Sequence, residues 1–497
     1  MTDRISRYGH GCASTALVAF LIAAPALAHD VPQNDTTAPV ASSADDAAET
    51  ARRFAALRND PARLRLFLQA FPKGADLHNH LAGAIYAEPM LDWARTDREC
   101  LDPRRQTLSN DSSCGRPGLV PAAEAFNSED TTNRAIDAMS MRGFVPTETD
   151  RSGHDHFFDT FDKFDAAYET HQGEALAEVL AQAARDHELY LETMVSPALA
   201  QAMALGAHHP LKGNNFAGSY AEIAPSLPAV VATARAEINQ MESRAHAILG
   251  CGTAHPQPGC AVTVRYLFQP LRILPPPMVF GQLAAGYALA HSDPRVVGVN
   301  FVAPEDDPVA LRDYDLHMRM FRYLNGVAPD VKLSLHAGEL TLGLVPPSEL
   351  ESHIRQAVEV AGARRIGHGV DIAYERDAAE LLHEMAQKQI MVEINLSSNA
   401  QILGVSGGDH PFMLYRRAGV PTALSTDDEG VSRIDLTHEY QRATTTYGLD
   451  YPTLKQLSAT GIRYGFESDA DRTTLNARLQ HDFAAFEHWA AHEPLFR

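Results

Sequence analysis

The chain is short of positive charge. Forty-two Lys and Arg stand against 63 Asp and Glu, a formal net charge of −21 over 497 residues. A surface of that sign repels phosphate backbones, which argues against a nucleic-acid polymer as partner and leaves a small neutral or cationic ligand. Cysteine is scarce as well, five in all, and no C-x2-C pair occurs, so a zinc–cysteine site is disfavoured. No repeat of solenoid length is visible. The apolar run near the N-terminus, Ala13 to Pro25, is too short for a comfortable membrane span.

That run reads instead as part of a signal peptide. Arg4 and Arg7 give a basic start, and Ala26-Leu27-Ala28 gives the small-x-small pattern, with cleavage expected after Ala28. An uncleaved anchor is the weaker alternative, because a polar, Ala/Asp/Thr-rich stretch follows. Cys12 stands before the apolar run, the wrong side for a lipid-attachment site. Removing the leader leaves Cys100, Cys114, Cys251 and Cys260, two local pairs enclosing Pro/Gly/Ser-containing loops. An even count in an exported chain, periplasmic or secreted, suggests two disulfides. Three connectivities are open, and proximity alone favours local pairing.

The 45% hydrophobic content supports a large core, and the length fits one α/β barrel with insertions or two to three smaller domains. Residues 29 to about 50 read as disordered, and a helical pattern runs from Ala51 to Ala70 with Phe54, Leu57, Leu64, Leu66, Phe67 and Leu68 as its apolar set. Residues 29–70 thus form an N-terminal arm. Eight short apolar segments follow: Ala75–Gly83, Leu189–Pro197, Thr263–Leu271, Val296–Val302, Val331–Glu339, Arg365–Val370, Met391–Ser397 and Pro421–Asp427. From the third onward they recur at about 30 residues, the length of a βα unit. Helical faces lie between them, one built on Leu350, Ile354, Ala357, Val358 and Ala361, another on Leu381, Leu382 and Met385. The pattern predicts an α/β fold, a (β/α)8 TIM barrel over residues 71–490, with a doubly wound open sheet as the alternative. Insertions are expected at about 97–153, 205–220 and 245–262.

The chemistry-bearing residues sit at the ends of these segments. The first carries His78-Asn79-His80, and residues two apart on a strand face the same side. The fifth ends in His336-Ala337-Gly338-Glu339, the sixth carries Gly367-His368-Gly369, and the eighth runs into Asp427-Asp428-Glu429. Each motif alone is common. Four in strand-end register, where barrel enzymes do their work, point to one site. Three imidazoles and a carboxylate suit a zinc ion, one per chain, with an open position for a water whose pKa the ion lowers.

Five segments, Lys73-Gly-Ala-Asp-Leu-His-Asn-His80, Leu335-His-Ala-Gly-Glu339, Arg365-Ile-Gly-His-Gly369, Leu396-Ser-Ser-Asn399 and Leu424-Ser-Thr-Asp-Asp428, resemble the adenosine deaminase family in order and spacing, from about residue 70 to 490. The leader, the arm, the Cys100–Cys114 insertion and the segment Tyr451–Tyr464 are similar to its secreted, growth-factor-related branch. The resemblance implies zinc on His78, His80, His336 and Asp427. It implies that Glu339 protonates the purine ring nitrogen N1, that His368 orients or deprotonates the nucleophilic water, and that Asp428 hydrogen-bonds N7. It further implies a substrate wall from Phe157 and Phe161 on an aromatic lid helix, with Ala303 and Gly338 also lining the pocket. His154 and His156, beside those phenylalanines, are expected to be exposed.

Three departures from the family pattern bear on substrate. An acidic residue usually near the position two after His80, which helps hold the sugar 5′-hydroxyl, is missing at Leu81 and Ala82. Met194 stands where the second strand usually has Arg, and Ala303 where the fourth usually ends in glycine. The expected activity is hydrolytic deamination of adenosine or a related adenine nucleoside, a small-molecule partner. The alternatives are a deaminase of adenine or of a modified nucleoside such as 5′-methylthioadenosine, and a non-catalytic extracellular binding module, against which the intact Glu339 and His368 argue. No bridging Lys at the end of the fourth strand points to a two-metal site. No stable membrane insertion is expected once the leader is removed, and a homodimer is the candidate assembly.

Overall fold

The computed structural model describes residues 44–111 and 113–496. The expected leader, Cys12 and the stretch to residue 43 lie outside the described residues.

The arm is two helices rather than one. Helix α1 spans Ala44–Leu57 and α2 spans Pro61–Ala70. The break has a local cause: the Asp60 side chain accepts from Arg63 N, and Pro61 fills the first helical turn, where its missing N–H costs nothing. Residues 44–50, expected as disordered, are therefore helical. Their helix buries Thr50, Arg53, Phe54 and Leu57, and the Phe54 ring packs on Phe67 at 5.3 Å.

The eight barrel strands are β1 (Gly74–His80), β2 (Glu188–Val195), β3 (Thr263–Phe268), β4 (Val296–Val299), β5 (Lys332–Ala337), β6 (Arg365–His368), β7 (Met391–Ile394) and β8 (Thr422–Leu424). They pair in sequence order, all parallel. The seam between β8 and β1 is closed by the candidate ligands' own backbone. Asp427 N donates to His78 O at 2.8 Å, and His80 N donates to Asp427 O at 3.1 Å. This is a barrel, and the open-sheet alternative is discarded.

The strands are shorter than the apolar segments that announce them, because the last residues of several segments leave the ladder. Ala303, His368 and Asp427 have φ of 84°, 69° and 62°, and Gly338 has 74°. Left-handed backbone at non-glycine residues costs energy and is held only where the surroundings over-determine it. Of the eleven such non-glycine residues among those described, these three stand at or just past the strand ends that carry the candidate site.

The first insertion carries a three-stranded antiparallel sheet, Cys100–Asp102 flanked by Thr107–Ser109 and Val120–Pro121. Disulfides join Cys100 to Cys114 and Cys251 to Cys260, the local pairing. Helix α3 (Gly153–Thr170) follows, capped by Ser152. Later come α4 (Leu396–Ile402) and the long terminal α5 (Asp469–His492). Among the described residues no helix is long and apolar enough to cross a membrane.

Candidate metal centre and active site

His78, His80, His336 and Asp427 converge, all buried, with one donor atom from each within 4.8 Å of the others. His336 Nε2 lies 3.1 Å from His78 Nε2 and 3.3 Å from His80 Nε2. Asp427 Oδ1 lies 3.3 and 3.2 Å from the same two nitrogens. A tetrahedron with ligands at about 2.0–2.1 Å has edges of about 3.3–3.4 Å, so the spacing fits a small ion.

The outer hydrogen bonds orient these donors toward one point. His78 Nδ1 meets Glu393 Oε2 at 2.7 Å, His80 Nδ1 meets Gln269 Oε1 at 2.8 Å, and His336 Nδ1 meets Asn300 Oδ1 at 2.8 Å. Each partner is an acceptor, so each ring carries its proton on Nδ1. Three Nε2 lone pairs and a carboxylate then face one point, a repulsive arrangement that a divalent cation resolves. Glu393 is itself fixed by Arg365 at 2.6 Å and by the Ser334 hydroxyl at 2.6 Å. Gly367 makes room for this layer: a Cβ there would come within 2.6 Å of His78 Cε1.

Beside the cluster stand three buried groups with orphaned atoms, Glu339 Oε1, His368 Nε2 and Asp428 Oδ1. Burial, then the charge of Asp427, pushes Glu339 well above the usual carboxylate range, which favours its protonated form. Burial raises Asp428 to about 7. Burial also opposes ionisation of Asp427, but its close contacts with the His78 and His80 rings outweigh it and hold the carboxyl well below its usual range. Gly83 lets Asp428 stand where it does, since a Cβ on it would lie 1.7 Å from Asp428 Oδ1.

The proton on His368 is fixed from a distance. Phe412 N–H donates to His410 Nδ1 at 3.1 Å, so His410 carries its proton on Nε2 and donates to Asn399 Oδ1 at 3.0 Å. Asn399 Nδ2 therefore faces His368 Nδ1 and donates to it at 2.8 Å. His368, whose pKa burial drives down to about 3, is thus neutral with an N–H on Nε2, 3.8 Å from Asp427 Oδ2. In this tautomer its Nε2 is a hydrogen-bond donor.

The pocket residues are positioned less directly. Arg272, fully buried, donates from Nε to Ala303 O at 2.7 Å and so holds the left-handed turn there. Glu305 accepts from Gly338 N at 3.1 Å, from Glu339 N at 2.9 Å and from His353 Nδ1 at 2.6 Å, which fixes the turn that presents Glu339. Phe157 is fully buried and Phe161 half-buried in the packing of α3, rings 6.1 Å apart. His154 and His156 are not exposed. His154 meets Asp306 at 2.9 Å, and His156 binds Asp150 at 2.6 Å and stacks on Phe144. Carboxylates distant in sequence or across a turn draw both inward.

Sequence reasoning missed Glu393, Gln269, Asn300, Arg272 and Glu305. The available signal was weak: each is a polar residue within, or up to three positions past the end of, a strand segment that holds other polar residues as well.

The family described as adenosine deaminase matches residues 136–482. Adenosine deaminases of Salmonella typhi and Salmonella typhimurium are 34% identical over 148 residues, 30% of this chain and 41% of theirs. The matched stretch thus spans about two-fifths of those relatives. Among solved structures, an adenine deaminase from Arthrobacter aurescens is similar with a TM-score of 0.51 at 17% identity, covering 82% of this chain and 98% of that one. An N6-mAMP deaminase from Arabidopsis gives 0.53 at 21%, covering 83% and 99%.

Proposed function

Because the chain belongs to the adenosine deaminase family, we propose that it is a zinc-dependent aminohydrolase that removes the 6-amino group of an adenine compound with an uncharged 5′ side. Adenosine, 5′-deoxyadenosine and 5′-methylthioadenosine fall in that class, and adenine itself is the smallest member. The observation that carries the reading is the set of three orphaned buried atoms, on Glu339, His368 and Asp428, ringed around a four-donor metal cluster.

Three imidazoles with one carboxylate is a donor set that favours zinc. Such an ion supplies an acidified water as nucleophile at neutral pH. Glu339, held protonated by burial, donates its proton toward ring nitrogen N1 and draws electron density from C6. His368 offers its Nε2–H to orient the attacking oxygen. Asp428 faces N7, which carries no hydrogen in a purine nucleoside, so the pairing is a hydrogen bond donated by protonated Asp428. Arg272 turns the Ala303 backbone, and Glu305 sets the Gly338–Glu339 turn against the ring.

The names of the similar proteins span adenosine, adenine and N6-mAMP, so the pocket must decide the 5′ side. Ala82 carries no carboxylate for a 5′-hydroxyl. Glu88, the nearest acidic residue in sequence after it, is bound by both Arg433 nitrogens at 2.7 and 2.9 Å. Arg433 and Arg142, the cations near Glu88, and Lys163 on α3 are themselves paired, with Glu88, Asp137 and Asp159, which disfavours a 5′-phosphate. The two disulfides and the leader-like N-terminus support an exported protein, as in the secreted branch that the arm and insertion resemble.

The experiment is ammonia release from adenosine, 5′-deoxyadenosine, 5′-methylthioadenosine, adenine and AMP, with wild type and Ala82→Asp. The wild type is expected to treat adenosine and 5′-deoxyadenosine within about tenfold, to turn AMP over poorly, and to gain preference for adenosine on Ala82→Asp. A wild-type preference for adenosine of a hundredfold, about 2.7 kcal/mol, refutes the 5′ reading. Absence of ammonia from every compound refutes the function.

A further inference from the structure

Far from the barrel mouth, the arm and the terminal helix bring together a second set of metal-type donors. Asp46 lies in the first turn of α1, and His488 and His492 lie one turn apart near the end of α5. His488 Nδ1 is 3.2 Å from Asp46 Oδ2, and His492 Nδ1 is 3.9 Å from Asp46 Oδ1. The two imidazole rings are 4.8 Å apart, and one donor atom from each of the three residues lies within 4.8 Å of the other two.

We propose that Asp46, His488 and His492 form a surface site for a divalent transition-metal ion, separate from the barrel centre, that staples α1 to α5. Two histidines four residues apart on a helix stand on one face, one above the other. That spacing is the one by which a helix presents two imidazoles to one ion. The third donor comes from another helix, so occupancy of the site cross-links two elements. The imidazoles are exposed, 53% and 65%, while the carboxylate they flank is largely covered at 15%. The two imidazole nitrogens already lie 3.2 and 3.9 Å from the carboxylate, so side-chain rotation closes the donors to the spacing of a coordination sphere. His492 Nδ1 rests on the His488 carbonyl at 2.8 Å, a local contact that its ring exchanges for the ion by turning. An ordinary ion pair accounts for Asp46 with His488. It does not account for a second imidazole on the same carboxylate.

Imidazole nitrogen with one carboxylate oxygen selects Zn2+, Ni2+ or Cu2+ over Mg2+ or Ca2+. The three protein donors leave the solvent side to water, so the ion is held more weakly and exchanges faster than one in the buried cluster. The stapled surfaces already meet: Thr50 Oγ1 donates to Glu487 O at 3.0 Å, and Arg53 donates to Ala490 O at 3.2 Å and Glu493 O at 2.7 Å. The ion adds a crosslink at the outer end of that contact, where α1 begins.

The test uses untagged, full-length protein with its barrel site already loaded, titrated calorimetrically with Ni2+. Wild type is expected to take up one further equivalent per chain, and the thermal midpoint to rise with added Ni2+. The double variant His488→Gln/His492→Gln is expected to take up none and to show no Ni2+-dependent rise, with ammonia release unchanged. Asp46→Asn is expected to weaken uptake at least tenfold. With Cu2+ as the probe, the electron paramagnetic resonance of the added ion should show coupling to imidazole nitrogen in wild type only. No uptake beyond the barrel equivalent, or equal uptake by wild type and the double variant, overturns the proposal, whatever the substrate of the barrel site proves to be.

Discussion

Replacing Asn399 by aspartate reverses one hydrogen bond in the line that sets the tautomer of His368. In the wild type, Phe412 N–H, His410 and Asn399 each donate toward the next acceptor, ending on His368 Nδ1 at 2.8 Å. A carboxylate only accepts. It can keep the bond from His410, but His368 must then carry its proton on Nδ1, and the neutral ring turns a bare Nε2 toward Asp427. Losing a positioned donor costs about 10² to 10³ in kcat. The carboxylate also favours the imidazolium. An opposite charge at hydrogen-bond distance raises a pKa by about 1–3 units, starting here from about 3. Each unit is about 1.4 kcal/mol between the two protonation states. The cation again bears an Nε2–H, so the sign is definite: Asn399→Asp is most impaired above neutrality and recovers as pH falls toward 5. The wild type, with its donor already in place, shows no such recovery. The assay is kcat/KM for adenosine between pH 5 and 8.5, with metal content measured alongside, since Asn399 touches no ligand. A variant within threefold of wild type across that range, with the same profile, refutes the tautomer assignment.

Other expectations follow from the same geometry. Glu393→Gln puts an amide between Arg365 and His78, and one of its two faces must oppose a donor, so metal affinity should fall about 10- to 100-fold in chelator competition. Affinity within twofold of wild type counts against the role of Glu393. Gly83→Ala drives a methyl group into Asp428 Oδ1; metal should be retained and kcat/KM should fall at least tenfold. His317 and His410 are buried and burial lowers both to about 4, so the unfolded state binds more protons below the ordinary histidine value of about 6.5. Their stabilising contribution is full above pH 6.5 and is lost as pH falls toward 4, about 2 kcal/mol each by pH 5. Urea midpoints should drop accordingly, and His317→Phe should lessen the drop.

The metal ligands were legible because two of them lie two residues apart on one strand and the others sit at matching strand ends. That register is a property of the sequence once a barrel is assumed. The residues that make the ligands work were not legible, because they are assembled across strands. Glu393 meets His78 although 315 positions separate them, and nothing in Met391–Ile394 alone distinguishes it from a buried charge of another kind. The strained turns were also hidden, since Ala303, His368 and Asp427 take left-handed backbone without being glycine. In the arm, Asp60-Pro61 carries a helix-start signal that the continuous apolar pattern of Ala51–Ala70 masked. The aromatic segment around Phe157 and Phe161 is helical as expected, but the pairing of His154 with Asp306 joins residues 152 apart.

The central claim is that four buried donors hold an ion on which deamination of an adenine compound depends. The most direct measurement is ammonia release from adenosine and 5′-methylthioadenosine by one preparation, before chelation, after removal of metal, and after readdition of one equivalent of zinc per chain. The account predicts turnover, its loss, and its recovery, with His80→Ala inactive at every stage. Turnover that survives complete removal of metal contradicts it.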